Sequence, residues 1–334
     1  MKTKLLLVCF LVLFCMGKAQ IVNIPDANFK SKLLESSANN QIAQNLSGSY
    51  FAIDANNDGE IQVSEALQVG ELKMIYPNTF AMIQSYDGIL SFANIKSLTI
   101  DYANVPSDPF VISNLTSLNT LNVKFGNYDP GTIKVSGCTA LKNLSIYGII
   151  LETLNNNPLI ENFSLYSQTV SSDIITKIEH LTHLKNLEFR EFIDGIGNAY
   201  LDLSNHPNLL SLKVICTNLN VNVSGCSLLN SITLNATDDP SNFIYTPFVK
   251  INSSNCPSLV NYTVGEYFDI IAEIISDNCP GLLNFSSEYG DVTLSFNNCI
   301  NLKTIDVRNL TTLSVNNCSN LEAIKALRLP LWQV

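Results

Sequence analysis

Three histidines and one tryptophan in 334 residues leave little material for imidazole chemistry. The sequence also has no Cys-x-x-Cys pair, glycine-rich phosphate loop, nucleophile elbow or carboxylate pair with a distinct context. His180 and His183 stand at near-ligand spacing, but no third ligand is near them in sequence and a metal site needs three or four. An enzyme is not expected. Positive charge is scarce too: 19 Lys and Arg against 29 Asp and Glu give a net charge of −10. That balance argues against a protein drawn to nucleic acid or to an anionic membrane through an overall basic surface. With 15 glycines and 12 prolines the chain is neither collagen-like nor disordered. No apolar run approaches the ~20 residues that cross a bilayer as a helix, so no membrane span is expected.

What is present begins with a processing signal. Lys2 and Lys4 precede an apolar run from Leu5 to Met16, and Gly17-Lys18-Ala19 sets small residues where a signal peptidase reads, so residues 1–19 are expected to be removed before Gln20. Phe14 before Cys15 does not suit a lipoprotein signal. The mature chain is expected to be secreted or held at the cell surface. The full sequence is 46% hydrophobic, enough for a large core.

One phrase then recurs through the chain: an apolar anchor, a second apolar residue three positions on and a third two beyond that. It reads Leu118-x-x-Leu121-x-Val123, Leu141-x-x-Leu144-x-Ile146, Leu184-x-x-Leu187-x-Phe189, Leu209-x-x-Leu212-x-Val214 and Leu229-x-x-Ile232-x-Leu234. Further copies begin at Leu259, Leu302 and Leu321, and weaker ones at Val69, Ile95, Ile160 and Leu282. The mean period of about 23 residues falls in the leucine-rich-repeat window. Four residues before most anchors stands Asn or Gly, as at Asn114, Gly137, Asn156, Asn205, Gly225 and Asn255, types that tolerate a left-handed turn. The next position is Cys138, Cys226, Cys256, Cys279, Cys299 or Cys318 in six copies, and Asn157 or His206 in two others.

Alternation of side chains along a strand sends the third and fifth residues after each anchor inward and the second, fourth and sixth outward. Segments such as Ile133-Lys134-Val135 and Val221-Asn222-Val223 read as a second short strand per repeat. The expected fold is a strand-dominated α/β-type repeat solenoid: a right-handed leucine-rich-repeat coil of about twelve repeats over residues 69–334, with a continuous parallel sheet. Residues 20–68 form its N-terminal cap. No rung can bury its apolar face alone, so stability comes from stacking.

The wording Gly-Cys-Thr-Ala-Leu-Lys-Asn-Leu-Ser-Ile at 137–146, with Gly-Cys-Ser-Leu-Leu-Asn-Ser-Ile-Thr-Leu at 225–234, resembles secreted leucine-rich-repeat proteins of Bacteroidetes-type bacteria, of the BspA-like and internalin-like kind. Residues 24–30 and 83–100 are similar to that family's leading segment and first repeat. The resemblance implies adhesion or protein binding rather than one defined reaction. It also implies a C-terminal sorting domain, which is missing here: only eight apolar-rich residues follow Ala326. The expectation is that the chain is truncated or pairs that end with another chain.

Asp54-Ala55-Asn56-Asn57-Asp58-Gly59-Glu60-Ile61-Gln62-Val63-Ser64-Glu65 satisfies the EF-hand loop pattern. Asp54, Asn56 and Asp58 would offer side-chain oxygens to Ca²⁺, Glu60 its carbonyl, Gln62 a direct or water-mediated contact and Glu65 a bidentate carboxylate. A turn rich in Asp, Asn and Gly would carry a similar composition. The helical candidate before the loop, Asp26 to about Ser36, ends well short of Asp54, and there is no second loop to pair with. A structural ion bracing the cap is therefore expected rather than a signalling switch.

The cysteine positions suit buried free thiols better than disulfides. Equivalent residues on rungs about 4.8 Å apart project in parallel, beyond the ~3.8 Å between Cβ atoms of a disulfide. Cys216 lies off this ladder and is expected to be the accessible thiol. On the outward face, Tyr147 and Tyr166 beside Glu188, Arg190 and Lys213 have the composition of a binding patch, although such residues also serve simply to keep a sheet soluble. The expected function is recognition of an extracellular protein or glycan through this face. A surface-layer or scaffold component without a specific ligand is the alternative.

Overall fold

The computed structural model describes residues 20–75, 83–102, 105–126, 131–167, 170–191, 199–204, 206–215, 218–235, 248–264 and 271–328. Residues 1–19, where the signal is expected, Asn205, Cys216 and the last six residues, 329–334, lie outside them. Each anchor from Val69 to Leu321 is followed by one strand, and these strands pair in parallel and in register from Val69–Ile75 through Ser97–Tyr102, Thr120–Phe125, Asn143–Tyr147, Asn162–Ser167, Asn186–Glu191 and onward to Ala323–Arg328. The inward columns are fully buried, as in Leu121–Leu144–Phe163–Leu187–Leu212 and Val123–Ile146–Leu165–Phe189–Val214. The chain is a strand-dominated leucine-rich-repeat solenoid.

A second layer backs the first. Phe110–Ser113, Thr132–Ser136 and Ile150–Asn155 form a three-stranded parallel sheet, and Ala199–Asp202, Asn218–Asn222, Phe248–Asn252 and Ile271–Ile275 form another stack further on. The long strands Asn284–Ser295 and Thr304–Ser314 run through both layers. Among the described residues a helix, Ser172–Glu179, stands in this layer where the repeat leads one to expect a strand. Ser171 caps it by accepting the Ile174 amide at 3.3 Å, and Ile174, Ile175 and Ile178 are buried at helical spacing.

The turns between layers need left-handed backbone. Asn114, Asn156, Asn255, Asn278, Asn298 and Asn317 have φ between 55° and 60°, and Gly137 and Gly225 have φ of 67° and 76°. One glycine is fixed by a close approach as well. A Cβ on Gly148, at φ 74°, would lie 2.1 Å from the Phe125 carbonyl of the preceding rung. Its absence allows the backbone just past Tyr147 to stack.

At the N-terminal end a short helix α1, Ala27–Leu34, is capped by Asp26, whose carboxylate accepts the Asn28 and Phe29 amides at 2.9 Å. Phe29 and Leu33 are buried against the first rungs. The strand Ala43–Asn45 then lies antiparallel on Val69–Ile75 and covers the open edge of the parallel sheet. At the other end Ile324 is 45% exposed and Leu327 83%.

Candidate functional site

The outward face of the first sheet brings the expected patch together from four consecutive strands, with one difference. Tyr147 and Tyr166 are register partners and their rings stack with centroids 3.9 Å apart and an interplanar angle of 4°. The Arg190 guanidinium covers the far side of Tyr166 at 4.7 Å, and Lys124 stands 6.0 Å from the Tyr147 ring. Tyr166 is therefore only 6% exposed rather than open on the face, because its two neighbours in the column take both faces of its ring. Ile215, the next residue of that column, is buried as well. Lys124 occupies the same position after its anchor, so register was the signal that would have added it.

Four residues toward the start of the strands runs a second column, of amides. Asn143 Nδ2 donates to Thr120 Oγ1 at 3.2 Å, Asn162 Nδ2 to Asn143 Oδ1 at 2.7 Å, Asn186 Nδ2 to Asn162 Oδ1 at 2.6 Å, and Ser211 Oγ to Asn186 Oδ1 at 2.6 Å. Identical amides at one rung spacing satisfy one another, as in stacked parallel sheets generally. Between the amide column and the aromatic column lies a third, Asn122, Ser145, Ser164, Glu188 and Lys213, whose small central side chains leave a trench of about 340 Å³. Glu188 and Lys213 close one end as an ion pair at 3.0 Å.

The calcium-type loop has its own local order. Asp54 accepts the amides of Asp58 at 3.2 Å and Gly59 at 2.9 Å, Asn56 Oδ1 accepts Asp58 N at 3.0 Å, and Asp58 Oδ1 accepts Glu60 N at 2.9 Å. The Glu60 N–H, and after it the side-chain amides of Asn56 and Gln62, draw the Asp58 carboxyl below its ordinary range. Glu65, the third residue of the exit helix Val63–Ala66, accepts Ala55 N at 2.8 Å and Gln62 N at 2.9 Å. Ile61 is fully buried.

Among the described residues no three Asp, Glu, His or Cys groups converge to hold a metal by themselves. The loop's oxygens are shared with carboxamides instead. Asn56 Nδ2 donates to Asp58 Oδ2 at 3.0 Å and Gln62 Oε1 at 3.3 Å, so two acceptors already meet at one neutral donor. An all-oxygen set of this kind suits a hard cation. The strand that a paired loop would supply comes from residues 20–22: Val22 N donates to Ile61 O at 2.8 Å and Val63 N to Gln20 O at 2.7 Å. Lys30 of α1 pairs with Glu60 at 2.7 Å and ties the loop to the cap.

Cys138, Cys226, Cys256, Cys279 and Cys299 are fully buried, and Cys318 is partly exposed at the last rungs; none of the six is in a disulfide. From Cys226 onward each thiol donates to a backbone carbonyl of the preceding rung, those of Leu203, Val223, Ser253, Ser276 and Phe296, at 2.7–3.2 Å. Burial pushes the Cys226 thiol up to about 11 and Cys256 up to about 12. His206 fills the same position at 1% exposure, facing the Leu203 and Ile178 carbonyls with no hydrogen bond of good geometry at either ring nitrogen, and burial lowers its pKa. His180 and His183 are exposed and bring no third ligand with them.

No protein-family model matches the sequence, and no curated protein matches it. Among solved structures the chain is similar to an internalin from Listeria monocytogenes, at 13% identity and a TM-score of 0.41, over 92% of this chain and 98% of that one.

Proposed function

We propose that the chain is an exported binding module without a catalytic role, in which the first-sheet face over residues 120–215 holds an extracellular macromolecule and Ca²⁺ in the Asp54–Glu65 loop braces the cap. The trench supports this reading most directly. Its walls are fixed by the amide ladder and by the Lys124–Tyr147–Tyr166–Arg190 stack, so its shape is set before any partner arrives, which limits the ordering cost of binding. The bound ion would be held by the oxygens of Asp54, Asn56, Asp58, Gln62 and Glu65 with the Glu60 carbonyl, and it would supply only charge and cross-linking.

Filling the trench tests the reading. Ser164→Trp puts a bulky ring on its floor while leaving the inward columns untouched. Binding to a panel of extracellular-matrix proteins and polysaccharides should include at least one ligand that the wild type holds and Ser164→Trp loses, with both proteins melting alike. If no ligand depends on Ser164, the face is not the site and the scaffold alternative takes its place.

A further inference from the structure

The net charge of −10 conceals an uneven distribution. On the first-sheet strands from Ser97 to Ile215 and the residue before each, the described basic side chains are Lys96, Lys124, Lys142, Lys185, Arg190 and Lys213. Four acidic residues stand on the same strands or just before them, Asp101, Glu161, Glu188 and Glu191. Three of these acids are already engaged: Asp101 with Lys124 at 3.4 Å, Glu188 with Lys213 at 3.0 Å, and Glu161 with two lysines at once, Lys142 at 3.1 Å and Lys185 at 2.7 Å. The five lysines are exposed, whereas the doubly paired Glu161 is only 23% exposed. The acidic excess sits elsewhere, on the cap (Asp26, Asp54, Asp58) and on the second layer (Asp202, Glu273, Asp277).

The side chains that open into the trench inside this rim are Asn, Ser, Glu and Lys, although most of the surface they present to it is carbon. None of the exposed large hydrophobic residues lines it, and both faces of the Tyr166 ring are already covered. A protein partner is normally anchored by large apolar and aromatic side chains at the centre of its interface, and none projects from this floor. It offers the hydroxyls of Ser145 and Ser164 and the amide of Asn122 in a line. With Glu188 they span four rungs, about 14 Å at the usual strand spacing.

We infer that the trench takes a linear anionic polysaccharide, with its hydroxyls on the Asn122–Ser145–Ser164 floor and its acidic groups on the flanking lysines, chiefly Lys142 and Lys185. This rests on the binding-face reading above and adds the class of ligand. Such a chain matches both features of the site, the hydrogen-bonding floor and the local positive field, within a protein whose total charge would otherwise repel it.

Affinity electrophoresis in native gels containing polygalacturonate tests this, with dextran as the neutral polymer and poly-glutamate as the acidic peptide. The wild type should be retarded by polygalacturonate and by neither of the others. Lys142→Gln with Lys185→Gln should weaken that retardation about tenfold, whereas Lys134→Gln with Lys250→Gln on the second layer, which changes net charge equally, should leave it intact. Matching melting curves would confirm that both double variants are folded. Equal retardation by poly-glutamate or dextran, no retardation by polygalacturonate, or indifference to the Lys142/Lys185 change would each overturn the inference. If the wild type holds some other ligand that Ser164→Trp loses, the face reading survives that failure; if nothing depends on Ser164, both fall.

Discussion

Replacing Glu65 by Ala should act on the cap in two separable ways. In chelator, the variant loses the two hydrogen bonds by which the carboxylate holds Ala55 N and Gln62 N, at 2.8 and 2.9 Å, and with them the cap of the exit helix. Loss of a capping interaction costs about 1 kcal/mol. In calcium, the wild type should gain more. An extracellular-type site with Kd of about 10⁻⁴ M, held at a hundredfold excess of free ion, stabilises the state that binds it by about 2.7 kcal/mol. For a chain of this size, whose unfolding entropy is about 0.7 kcal/mol/K, that is an upward shift in Tm of about 4 °C, against a loss of roughly 1–2 °C for the variant in chelator.

Circular dichroism melts at the sheet minimum, in about 10 mM CaCl₂ and in EDTA at matched ionic strength, read both effects. The expected pattern is a calcium-dependent rise in wild type, a lower melt in Glu65→Ala under EDTA, and no calcium response in the variant. Because Lys30–Glu60 and Val22–Ile61 tie the loop to the cap, and the strand Ala43–Asn45 covers the sheet edge, the ion's effect should spread into the first rungs. A wild-type melt that is the same in calcium and EDTA would refute the ion's role, and a Glu65→Ala variant that still responds to calcium would refute the ligand assignment.

Three further outcomes follow from the turns and the ladder. Gly148→Ala should destabilise by at least about 1–2 kcal/mol in urea unfolding, since its Cβ would meet the Phe125 carbonyl at 2.1 Å in a backbone with φ of 74°; a neutral result would mean that the rung spacing there is slack. The thiols of Cys226 and Cys256 ionise only at about 11 and 12 in the folded chain, so their stability contribution is complete below the unfolded thiol range near pH 9 and is lost as pH rises through 11–12. Native protein at pH 8 should accordingly react with a thiol reagent at partly exposed Cys318 and not at Cys256 or Cys299, as read by peptide mapping. His206 has the opposite sign: its lowered pKa makes its contribution complete above about pH 6.5 and lost as pH falls further, and His206→Cys should remove that acid sensitivity in pH-dependent melts.

The repeating coil was legible because it is a one-dimensional problem. Leu118, Leu121 and Val123 recur with the Asn or Gly of the turn at fixed offsets, and any chain that keeps this register has one way to bury the columns. Asn114 and Gly137 could be assigned to left-handed turns for the same local reason. The loop at Asp54–Glu65 was likewise visible as a spacing of oxygen-bearing side chains. What depended on distance between rungs was not visible. Sequence alternation put Tyr166 outward, yet Tyr147 and Arg190 on neighbouring rungs cover it, a result of stacking flat groups at one strand spacing. The helix Ser172–Glu179 took the place of a strand because three isoleucines at helical spacing could fill the same gap in the second layer.

Tertiary structure alone decided that Gln20–Val22 supplies the strand beside the Asp54–Glu65 loop, and that the lysines flanking Ser145 and Ser164 form a basic rim on an acidic protein. Local sequence fixes periodicity and turns through backbone preferences and side-chain alternation. Which surface groups become neighbours is set by the stacking of residues about 23 positions apart, and no single repeat contains that information.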